Sequence, residues 1–202
     1  MAASVIWPPI VIPLERGAIT IRPAQLRDAP AFETWDHDPD VISATSDDLH
    51  VSQAFGGIDW RAEIEARSDV SCLYIAELDG RPIGGMQVID PHEEPTQYWG
   101  EIEPNLRALD IWLGNASDRG KGYGAAMMRG VIDACFSAPE VRAIVIDPLA
   151  SNMRAHRFYQ RLGFKPVGRC RFGDDDCLVH RLERSDWRTF TNTLDEAQCS
   201  KS

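Results

Sequence analysis

A glycine-rich turn between two apolar segments constrains the fold of this chain more than any other feature. Residues 109–128 read LDIWLGNASDRGKGYGAAMM, which is an apolar run typical of a strand, a polar loop with three alternating glycines, and the start of a helix. Such a turn leaves backbone N–H groups unobstructed at the positive end of a helix dipole, where a phosphate or pyrophosphate binds well. Arg119 and Lys121 add charge of the right sign. The stretch therefore predicts a phosphate-bearing ligand.

Length and charge limit the classes of protein that fit. A chain of 202 residues is one ordinary domain with room for a core. With 31 acidic and 21 basic residues its net charge is -10, which disfavours nucleic acid as a partner. The acidic surface suits a cationic small molecule, or simply gives solubility. Five scattered cysteines without metal-ligand spacing predict no disulfide framework, no metal site and a reduced, cytoplasmic setting.

The two ends of the chain are expected to add little to this single domain, which spans residues 1–202. Residues 1–16 are apolar but contain several prolines and no basic segment, so they predict an extended arm, neither a signal peptide nor a membrane helix. Residues 191–202 are polar and predict a flexible tail. The sequence leaves a monomer and a homodimer equally open, and predicts no membrane partner.

Hydrophobic periodicity predicts a mixed sheet with helices on its faces, in the α/β (α+β) class. Asp-Gly between two apolar runs is the strongest hairpin signal. The predicted elements are a strand at 18–22, a helix from about 24, an acidic loop with a short helix at 36–50, a helix at 58–66, hairpin strands at 72–78 and 82–89, a strand or loop edge at 98–103, strands at 107–113 and 141–146, helices at 122–137 and from N-cap Ser151 to 162, and a second hairpin of strands at 164–172 and 177–182.

Three phosphate-binding patterns compete for the glycine turn. A Walker A loop is excluded, because the required Gly-Lys-Ser/Thr is missing. The dinucleotide fingerprint fits loosely as Gly120-x-Gly122-x-x-Ala125 with Asp147 at the end of the next strand, but it lies too late in the chain for the remaining strands of a doubly wound sheet. The third pattern is Arg119-x-x-Gly122-x-Gly124.

That third pattern resembles the pyrophosphate loop of the GNAT N-acetyltransferases, Arg/Gln-x-x-Gly-x-Gly/Ala. Further along, residues 152–164 read NMRAHRFYQRLGF, which matches the second signature of that family, N-x-x-A-x-x-x-Y-x-x-x-G-F, at every specified position. The resemblance covers residues 19–187 and is weaker before residue 83. Within the superfamily the motifs look most like aminoglycoside 6'-N-acetyltransferases and their relatives that acylate siderophore lysines.

The resemblance implies a mostly antiparallel mixed sheet whose central parallel strand pair splays around acyl-CoA. It implies acetyl-CoA as co-substrate, no metal, and direct attack by an amine in a ternary complex. By resemblance, Asp110 binds the amine, either as the base that deprotonates it or only to orient it, and Tyr159 protonates the departing thiolate. A salt bridge or edge position for Asp110, and a core position for Tyr159, are the structural alternatives. The positions implied for cofactor binding are Trp112, Leu113, Arg119, Gly120, Lys121, Gly122, Tyr123, Gly124 and Asn152.

Acceptor binding is expected from acidic and aromatic side chains, since carboxylates orient ammonium groups and aromatic faces pack against sugar rings. The predicted acceptor residues are Tyr98, Trp99, Glu101, Glu103, Asp147 and Asp174. For Glu101 and Glu103 a solvated position is the alternative, and for Asp147 a turn before Pro148. The aspartates of 36–50 either form a solvated loop or line the same site. The acceptor is an aminoglycoside, with a siderophore lysine, a protein N-terminus or a small amine metabolite as alternatives, and a non-catalytic CoA-binding module as the alternative of another class.

Overall fold

A computed structural model describes residues 4–48 and 50–199 of the chain. The strands in these residues are β1 (Ile10–Pro13), β2 (Ala18–Pro23), β3 (Ser71–Leu78), β4 (Arg81–Ile89), β5 (Leu106–Leu113), β6 (Ala143–Ile146), β7 (Lys165–Phe172) and β8 (Asp175–Glu183). The helices are α1 (Ala29–Asp36), α2 (Pro39–Thr45), α3 (Trp60–Glu65), α4 (Tyr123–Ser137), α5 (Met153–Arg161) and α6 (Arg184–Cys199), with short 3-10 turns at Leu26–Asp28 and Ala116–Asp118.

The strands form one sheet in the order β1-β2-β3-β4-β5-β6-β8-β7. Within the described residues all neighbouring pairs are antiparallel except β5 and β6, which run parallel. The turn between β3 and β4 has positive φ at both Asp79 (49°) and Gly80 (82°), the conformation that Asp-Gly hairpins adopt. The predicted mixed, mostly antiparallel sheet with a central parallel pair is confirmed.

The parallel pair is short, and its two strands separate toward their carboxyl ends. Registered pairing runs from Leu106 opposite Ala143 to Ala108 opposite Val145, and stops there although β5 continues to Leu113. Beyond Ala108 the β6-facing edge of β5 therefore has no strand partner among the described residues. This gap passes through the middle of the sheet and is open to both of its faces.

Different side chains pack on the two faces of the gap. On one face Leu109, Ile144 and Ile146 join the main core with α4 and α5. On the other face Ala108 and Val145 pack under Trp99 of the segment between β4 and β5. Farther along that second face an aromatic cluster of Phe32, Trp35, Phe55, Trp60 and Trp112 fixes α1 and α3 against β3 and β5. The helices thus lie on both faces, and the gap opens between them.

The acidic segment after α1 is held in place by a buried carboxylate. Asp36 is buried, and its carboxylate accepts hydrogen bonds from the Phe55 backbone N–H (2.9 Å), the Gln53 amide (3.2 Å) and the Trp60 indole (3.4 Å). A buried carboxylate needs such partners. The short helix predicted within this loop is confirmed as α2.

Several boundaries differ from the sequence prediction for local reasons. The helix predicted from about residue 24 begins at Ala29, after a 3-10 turn, because Pro30 fits only the first turn of a helix. Residues 98–103 form turns and no strand. The N-cap of α5 is Asn152 and not Ser151, since the Asn152 side chain accepts from the Ala155 backbone N–H.

The ends of the chain contain more regular structure than expected. Part of the predicted extended arm is the edge strand β1, whose Ile10 and Ile12 pair with β2 and pack on the core. A flexible tail was predicted from residue 191, but α6 continues to Cys199; residues 200–202 lie outside the described part. None of the helices in the described residues is long and apolar enough to cross a membrane.

Candidate active site

Two aspartates stand where β5 and β6 separate. The last registered pair is Ala108 opposite Val145, and Asp110 and Asp147 each lie two residues beyond it. Because side chains alternate along an extended strand, both carboxylates belong to the face that carries Ala108 and Val145. The parallel register thus brings together two carboxylates from distant parts of the sequence, at the mouth of the gap.

Burial and neighbouring charge raise the pKa of both carboxylates. Burial, and then the charge of Asp147, raise the pKa of Asp110 to about 7. Burial also raises the pKa of Asp147, although a hydrogen bond from Tyr98 opposes the shift. The cleft leaves the Asp110 side chain open to solvent on one side, so its desolvation is incomplete. Repulsion from the charge of Asp147 raises the pKa of Asp110 further. Near neutral pH the pair is therefore poised to accept one proton.

An aromatic wall flanks this pair. The Tyr98 hydroxyl donates to Asp147 Oδ2 over 2.7 Å, and its ring stacks on Phe172 with centroids 4.6 Å apart. Trp99 meets the same Phe172 ring edge-on at 5.0 Å. Tyr98 is 51% exposed, so the face of this wall is available to a ligand. Burial of its hydroxyl and the Asp147 charge raise the pKa of Tyr98, which keeps it a donor.

Tyr159 reaches the gap from the opposite face of the sheet. It lies on α5, is 8% exposed, and packs in the main core beside Phe164. Burial and then the charges of Asp110 and Asp147 raise the pKa of its hydroxyl. Tyr159 belongs to the same core cluster as Leu109 and Ile146, the chain neighbours of Asp110 and Asp147. At neutral pH it is a protonated phenol, which can give a proton to a basic leaving group.

Two stacked histidines support Tyr159 from within the core. The rings of His156 and His180 are 5.1 Å apart and nearly parallel, and His180 lies 6.3 Å from the Tyr159 ring. Both histidines are buried, and burial lowers the pKa of His180. The sequence assigned no role to any histidine, and the structure gives this pair a packing role.

The glycine turn has the backbone geometry that an anion requires. Gly120 and Gly122 have φ angles of 75° and 85°, which other residues rarely adopt. Gly122 is the N-cap of α4, so the first N–H groups of this helix lack helical partners. A side chain built at Gly120 or Gly122 would meet no atom within 4 Å. The turn is open to a ligand from outside, and the exposed Lys121 lies beside it. These residues fit a pyrophosphate.

The upper part of β5 fits an extended chain lying along it. Trp112 and Leu113 pair with Gly85 and Gly84 of β4 on one side only. The Trp112 side chain is buried in the aromatic cluster and Leu113 packs on the main core, as expected if only their backbone meets the ligand. The Leu113 carbonyl accepts from Arg119 Nε over 3.3 Å, so one of its lone pairs is already used.

Arg119 and Asn152 use their polar side-chain atoms within the protein. The Arg119 guanidinium bonds Asp38 and Asp40 as well as the carbonyls of Leu113 and Gly114. The Asn152 amide donates to the Ala44 carbonyl over 3.3 Å while its oxygen caps α5. The structure thus contains Asn152 as a helix cap. Direct contact of either side chain with a ligand stays a prediction.

The predicted acceptor residues do not all converge. Glu103 is paired with Arg181 (2.5 Å) and with Arg142 (3.8 Å), so its charge is already balanced. Glu101 is exposed and lies on the same turn. Asp174 stands at the tip of the β7–β8 hairpin, where its charge helps raise the pKa of Asp175. Tyr98, Trp99 and Asp147 therefore form the compact part of the predicted set.

Three further residues join this region that the sequence did not single out as site residues. Phe172 carries the stacked Tyr98, and Asp175 lies at the same hairpin tip. The Ser151 hydroxyl donates to Asp47 over 2.6 Å, and the Ala150 N–H donates to the Asp176 carbonyl over 2.8 Å, so the acidic loop after α2 lies near this tip. Burial, and then the charges of Asp47 and Asp174, raise the pKa of Asp175. The density of aspartates in residues 36–50 is the one signal that pointed to Asp47. The region as a whole is suited to a cation.

No group of histidine, cysteine, aspartate or glutamate among the described residues is arranged to hold a metal ion. Cys72, Cys135 and Cys177 are buried free thiols, and Cys170 is an exposed one. Burial raises the pKa of the Cys177 thiol to about 12, with Asp147 contributing, so it is a poor nucleophile. Covalent chemistry on this thiol is therefore not supported.

Comparison with known proteins identifies the fold and the motifs together. Residues 24–172 match the model of the acetyltransferase (GNAT) domain. The chain is 33% identical to the aminoglycoside N(6')-acetyltransferase type 1 of Klebsiella pneumoniae over 144 residues, which are 66% of this chain and 72% of that protein.

Solved structures agree with this match. The structure of aminoglycoside acetyltransferase AAC(6')-Ib in complex with coenzyme A superposes with a TM-score of 0.72 at 27% identity, covering 85% of this chain and 98% of that one. The same protein with coenzyme A and kanamycin gives a TM-score of 0.71 at 26% identity, over the same shares of the two chains. An uncharacterised protein of Bacillus halodurans shares the fold, with a TM-score of 0.77 at 16% identity over 91% of this chain and 94% of that one.

The family match extends over more than half of the chain, and it includes β5, the glycine turn and the second signature at residues 152–164. The splayed parallel strands, the glycine turn and the paired carboxylates all lie within the matched residues. The chain belongs to the GNAT family of acetyltransferases and is an acyltransferase.

Proposed function

We propose that this protein is an acetyl-CoA-dependent N-acetyltransferase that modifies a primary amine of an aminoglycoside, at the 6' position. The observation that carries the proposal is the pair Asp110 and Asp147 at the mouth of the gap, with Tyr159 entering from the other face. A carboxylate pair with raised pKa values binds an ammonium and takes its proton. The relatives named for aminoglycoside 6'-acetylation support this choice of acceptor.

Acetyl-CoA supplies an activated acetyl group as a thioester. The residues that would hold it are the backbone of Gly120, Gly122, Tyr123 and Gly124 at the start of α4, with Lys121 beside them. The unpaired edge of β5 at Trp112 and Leu113 would receive the extended part of the molecule. Donor and acceptor then approach the gap from opposite faces of the sheet. The buried free thiols suit a reducing cytoplasm, where we expect the protein to act.

The proton transfers follow from the positions of three side chains. The amine arrives as an ammonium and is held between Asp110 and Asp147, and the pair takes one proton from it. The free amine attacks the thioester carbon, the C–N bond forms and the C–S bond breaks. Tyr159 gives its proton to the departing sulfur. The attacking nitrogen loses its second proton to water in the cleft as the amide forms, and transfer from the carboxylate pair restores Tyr159. One proton is thus released to solvent, and none is gained or lost by the enzyme.

The aromatic and acidic wall is what favours a sugar amine over other acceptors. Tyr98 and Phe172 present a flat stacked face beside Asp147, suited to packing a sugar ring. Asp174, Asp175 and Asp47 lie on the same side and add charge for further ammonium groups. A siderophore lysine, a protein N-terminus or a small amine metabolite carries no sugar ring and would use little of this wall.

A panel of acceptors separates these functions. Purified protein with acetyl-CoA is assayed for thiol release with kanamycin, an N6-hydroxylysine, a short peptide and putrescine, each over a range of concentrations. We expect turnover with kanamycin at the lowest KM. Preferential turnover of hydroxylysine or the peptide would replace the acceptor in this proposal. Tight acetyl-CoA binding without turnover of any amine would identify a binding module instead.

The charge coupling in the carboxylate pair predicts a shift in the pH profile. Asp147→Asn removes a negative neighbour, so Asp110 should ionise more easily. We expect the acidic limb of kcat/KM to lie near pH 7 in the native enzyme and about one unit lower in the variant, since one pKa unit corresponds to about 1.4 kcal/mol of interaction. Asp48→Asn, which changes the net charge equally on an exposed loop, is the control. An unmoved limb in Asp147→Asn would show that the two groups are not coupled.

The glycine turn predicts a separate effect on the donor. At Gly124 an added Cβ would meet only Leu113 and Phe158, at 3.8 Å, so Gly124→Val should fold while its branched side chain blocks the approach of the phosphates. We expect the Kd for acetyl-CoA to rise about tenfold, the equivalent of about 1.4 kcal/mol. Gly168→Val on the exposed β7, where an added Cβ meets nothing within 4 Å, is the matched control. Equal affinity in Gly124→Val would remove the turn from the donor site.

A further inference from the structure

The side chain of Arg119 has an unexpected set of partners. Its Nη2 donates to Asp38 Oδ1 over 3.0 Å and its Nη1 donates to Asp40. The Nε and Nη2 groups also donate to the Leu113 carbonyl (3.3 and 3.1 Å), and Nη2 to the Gly114 carbonyl (3.1 Å). The side chain is only 13% exposed. The guanidinium of the motif residue is therefore engaged by protein atoms on both sides, between the end of β5 and the start of α2.

The carboxylates that it joins belong to the acceptor side of the molecule. Asp38 is the N-cap of α2 and accepts from the backbone N–H groups of Asp40 and Val41. Burial acts to raise the pKa of Asp38, but the bonds from Arg119 and Val41 outweigh it, and the pKa is lowered. Asp38 therefore stays charged. Its contact with Arg119 is strong and oriented, because the same guanidinium also binds two carbonyls.

The other end of α2 is fixed to α5. The Asn152 amide donates to the Ala44 carbonyl over 3.3 Å, and the Ser151 hydroxyl donates to Asp47 Oδ1 over 2.6 Å. Ala150, the residue before Ser151, donates its backbone N–H to the Asp176 carbonyl over 2.8 Å, so Asp47 lies beside the β7–β8 hairpin, where its charge helps raise the pKa of Asp175. The segment from Asp38 to Asp47 thus spans the distance between the glycine turn and the acidic acceptor region. Contacts at its two ends determine its position.

We propose that Arg119 is a positioning residue for the acceptor wall and contributes little to phosphate binding. By joining α2 to the end of β5 it sets where Asp47 lies relative to Asp175, and so shapes the site for a second ammonium of the acceptor. The pyrophosphate is left to the backbone of the turn and to Lys121. The effect on the acceptor rests on the proposed function, whereas the role of Arg119 in holding α2 does not.

Kinetics distinguish positioning from phosphate binding. Arg119→Gln keeps polar contacts with one carbonyl and loses the charge. Asp38→Asn keeps an N-cap while removing the ion pair with Asp38 and leaving that with Asp40. For both variants we expect the KM for kanamycin to rise about tenfold and the Kd for acetyl-CoA to stay within about twofold. Arg119→Lys, which keeps the charge but not the fork, should be intermediate. A higher Kd for acetyl-CoA in Arg119→Gln, with KM for kanamycin unchanged, would overturn the inference.

Hydrogen exchange tests the structural part without any acceptor. Backbone N–H groups of residues 40–45 should exchange about tenfold faster in Arg119→Gln than in the native protein, while those of α4 keep their rates. Arg81→Gln is the matched control, because it breaks the bidentate contact between Arg81 and Asp118 (2.8 Å) without touching α2. Unchanged exchange at 40–45 in Arg119→Gln would contradict the inference. If native protein acetylates no aminoglycoside but the exchange result holds, only the proposed acceptor fails.

Discussion

Replacing Asp110 by asparagine is expected to reduce kcat by about 10²- to 10³-fold, in the range of general-base catalysis. The amide keeps the size of the side chain at the mouth of the gap but cannot take the proton of the ammonium. Asp147 remains, yet it is engaged by the Tyr98 hydroxyl at 2.7 Å. The Kd for acetyl-CoA should be unchanged, since the donor lies on the other face of the sheet.

The same variant should be more stable than the native protein in alkaline solution. The pKa of Asp110 in the folded protein is raised to about 7, so this group favours folding below its unfolded pKa, and that stability is lost as pH rises through about 7. At pH 8 the asparagine variant avoids the cost. We expect Tm to rise by about 2 °C, since about 1 kcal/mol gives 2–4 °C at this size and solvent in the open cleft weakens the effect.

Melting curves at pH 8 and pH 5 check the stability part, since the difference should be smaller at pH 5, where Asp110 is still protonated in the folded protein and only the unfolded chain has ionised it. Stopped assays of thiol release at saturating acetyl-CoA check kcat. If kcat is unchanged, Asp110 has no part in the proton transfer. A lower Tm at pH 8 would instead show that the carboxylate is stabilising.

Replacing Tyr159 by phenylalanine should lower kcat about 100-fold, because only the proton donor for the departing sulfur is lost. The ring stays packed beside Phe164 and His180, so folding and acetyl-CoA affinity should be retained. The pKa of Tyr159 is raised, so no loss of activity from its ionisation is expected below pH 9 in the native enzyme. Rates from pH 6 to 9 at saturating substrates provide the measurement.

Tyr74→Phe is the matched control for this loss of a buried hydroxyl. The Tyr74 hydroxyl donates to the Val5 carbonyl over 2.6 Å and accepts from the Trp7 backbone N–H over 3.0 Å. Its removal should cost about 1–3 kcal/mol of stability and leave kcat unchanged. Equal kcat for Tyr159→Phe and the native enzyme would show that solvent supplies the proton.

The parts of the fold that depend on local pattern could be predicted from the sequence. The Asp79-Gly80 turn, the glycine turn before α4 and the apolar runs of β5 and β6 each follow from the residues themselves. The resemblance added the splay between β5 and β6. The start of α5 was predicted wrongly, because Ser151 and Asn152 can both cap a helix and the sequence does not show which of them does.

Contacts between distant segments could not be predicted. Nothing in the spacing of Tyr98 and Asp147 shows that they bond, because the loop between β4 and β5 has no periodicity. The partners of Arg119 are similarly hidden, because a motif shows which residue type occupies a loop but not where its side chain turns. Glu103 was predicted to bind the acceptor. The antiparallel register of β8 with β6 instead brings Arg181 beside it, and the two side chains pair.

The most direct test of the proposed chemistry compares neomycin with paromomycin, which differ only in carrying an amine or a hydroxyl at the 6' carbon. Purified protein is incubated with acetyl-CoA and each antibiotic, thiol release is followed, and the product is located by NMR. The proposed function predicts stoichiometric acetylation of the neomycin 6'-amine and no turnover of paromomycin. Acetylation of both compounds at another amine, or of neither, would contradict it.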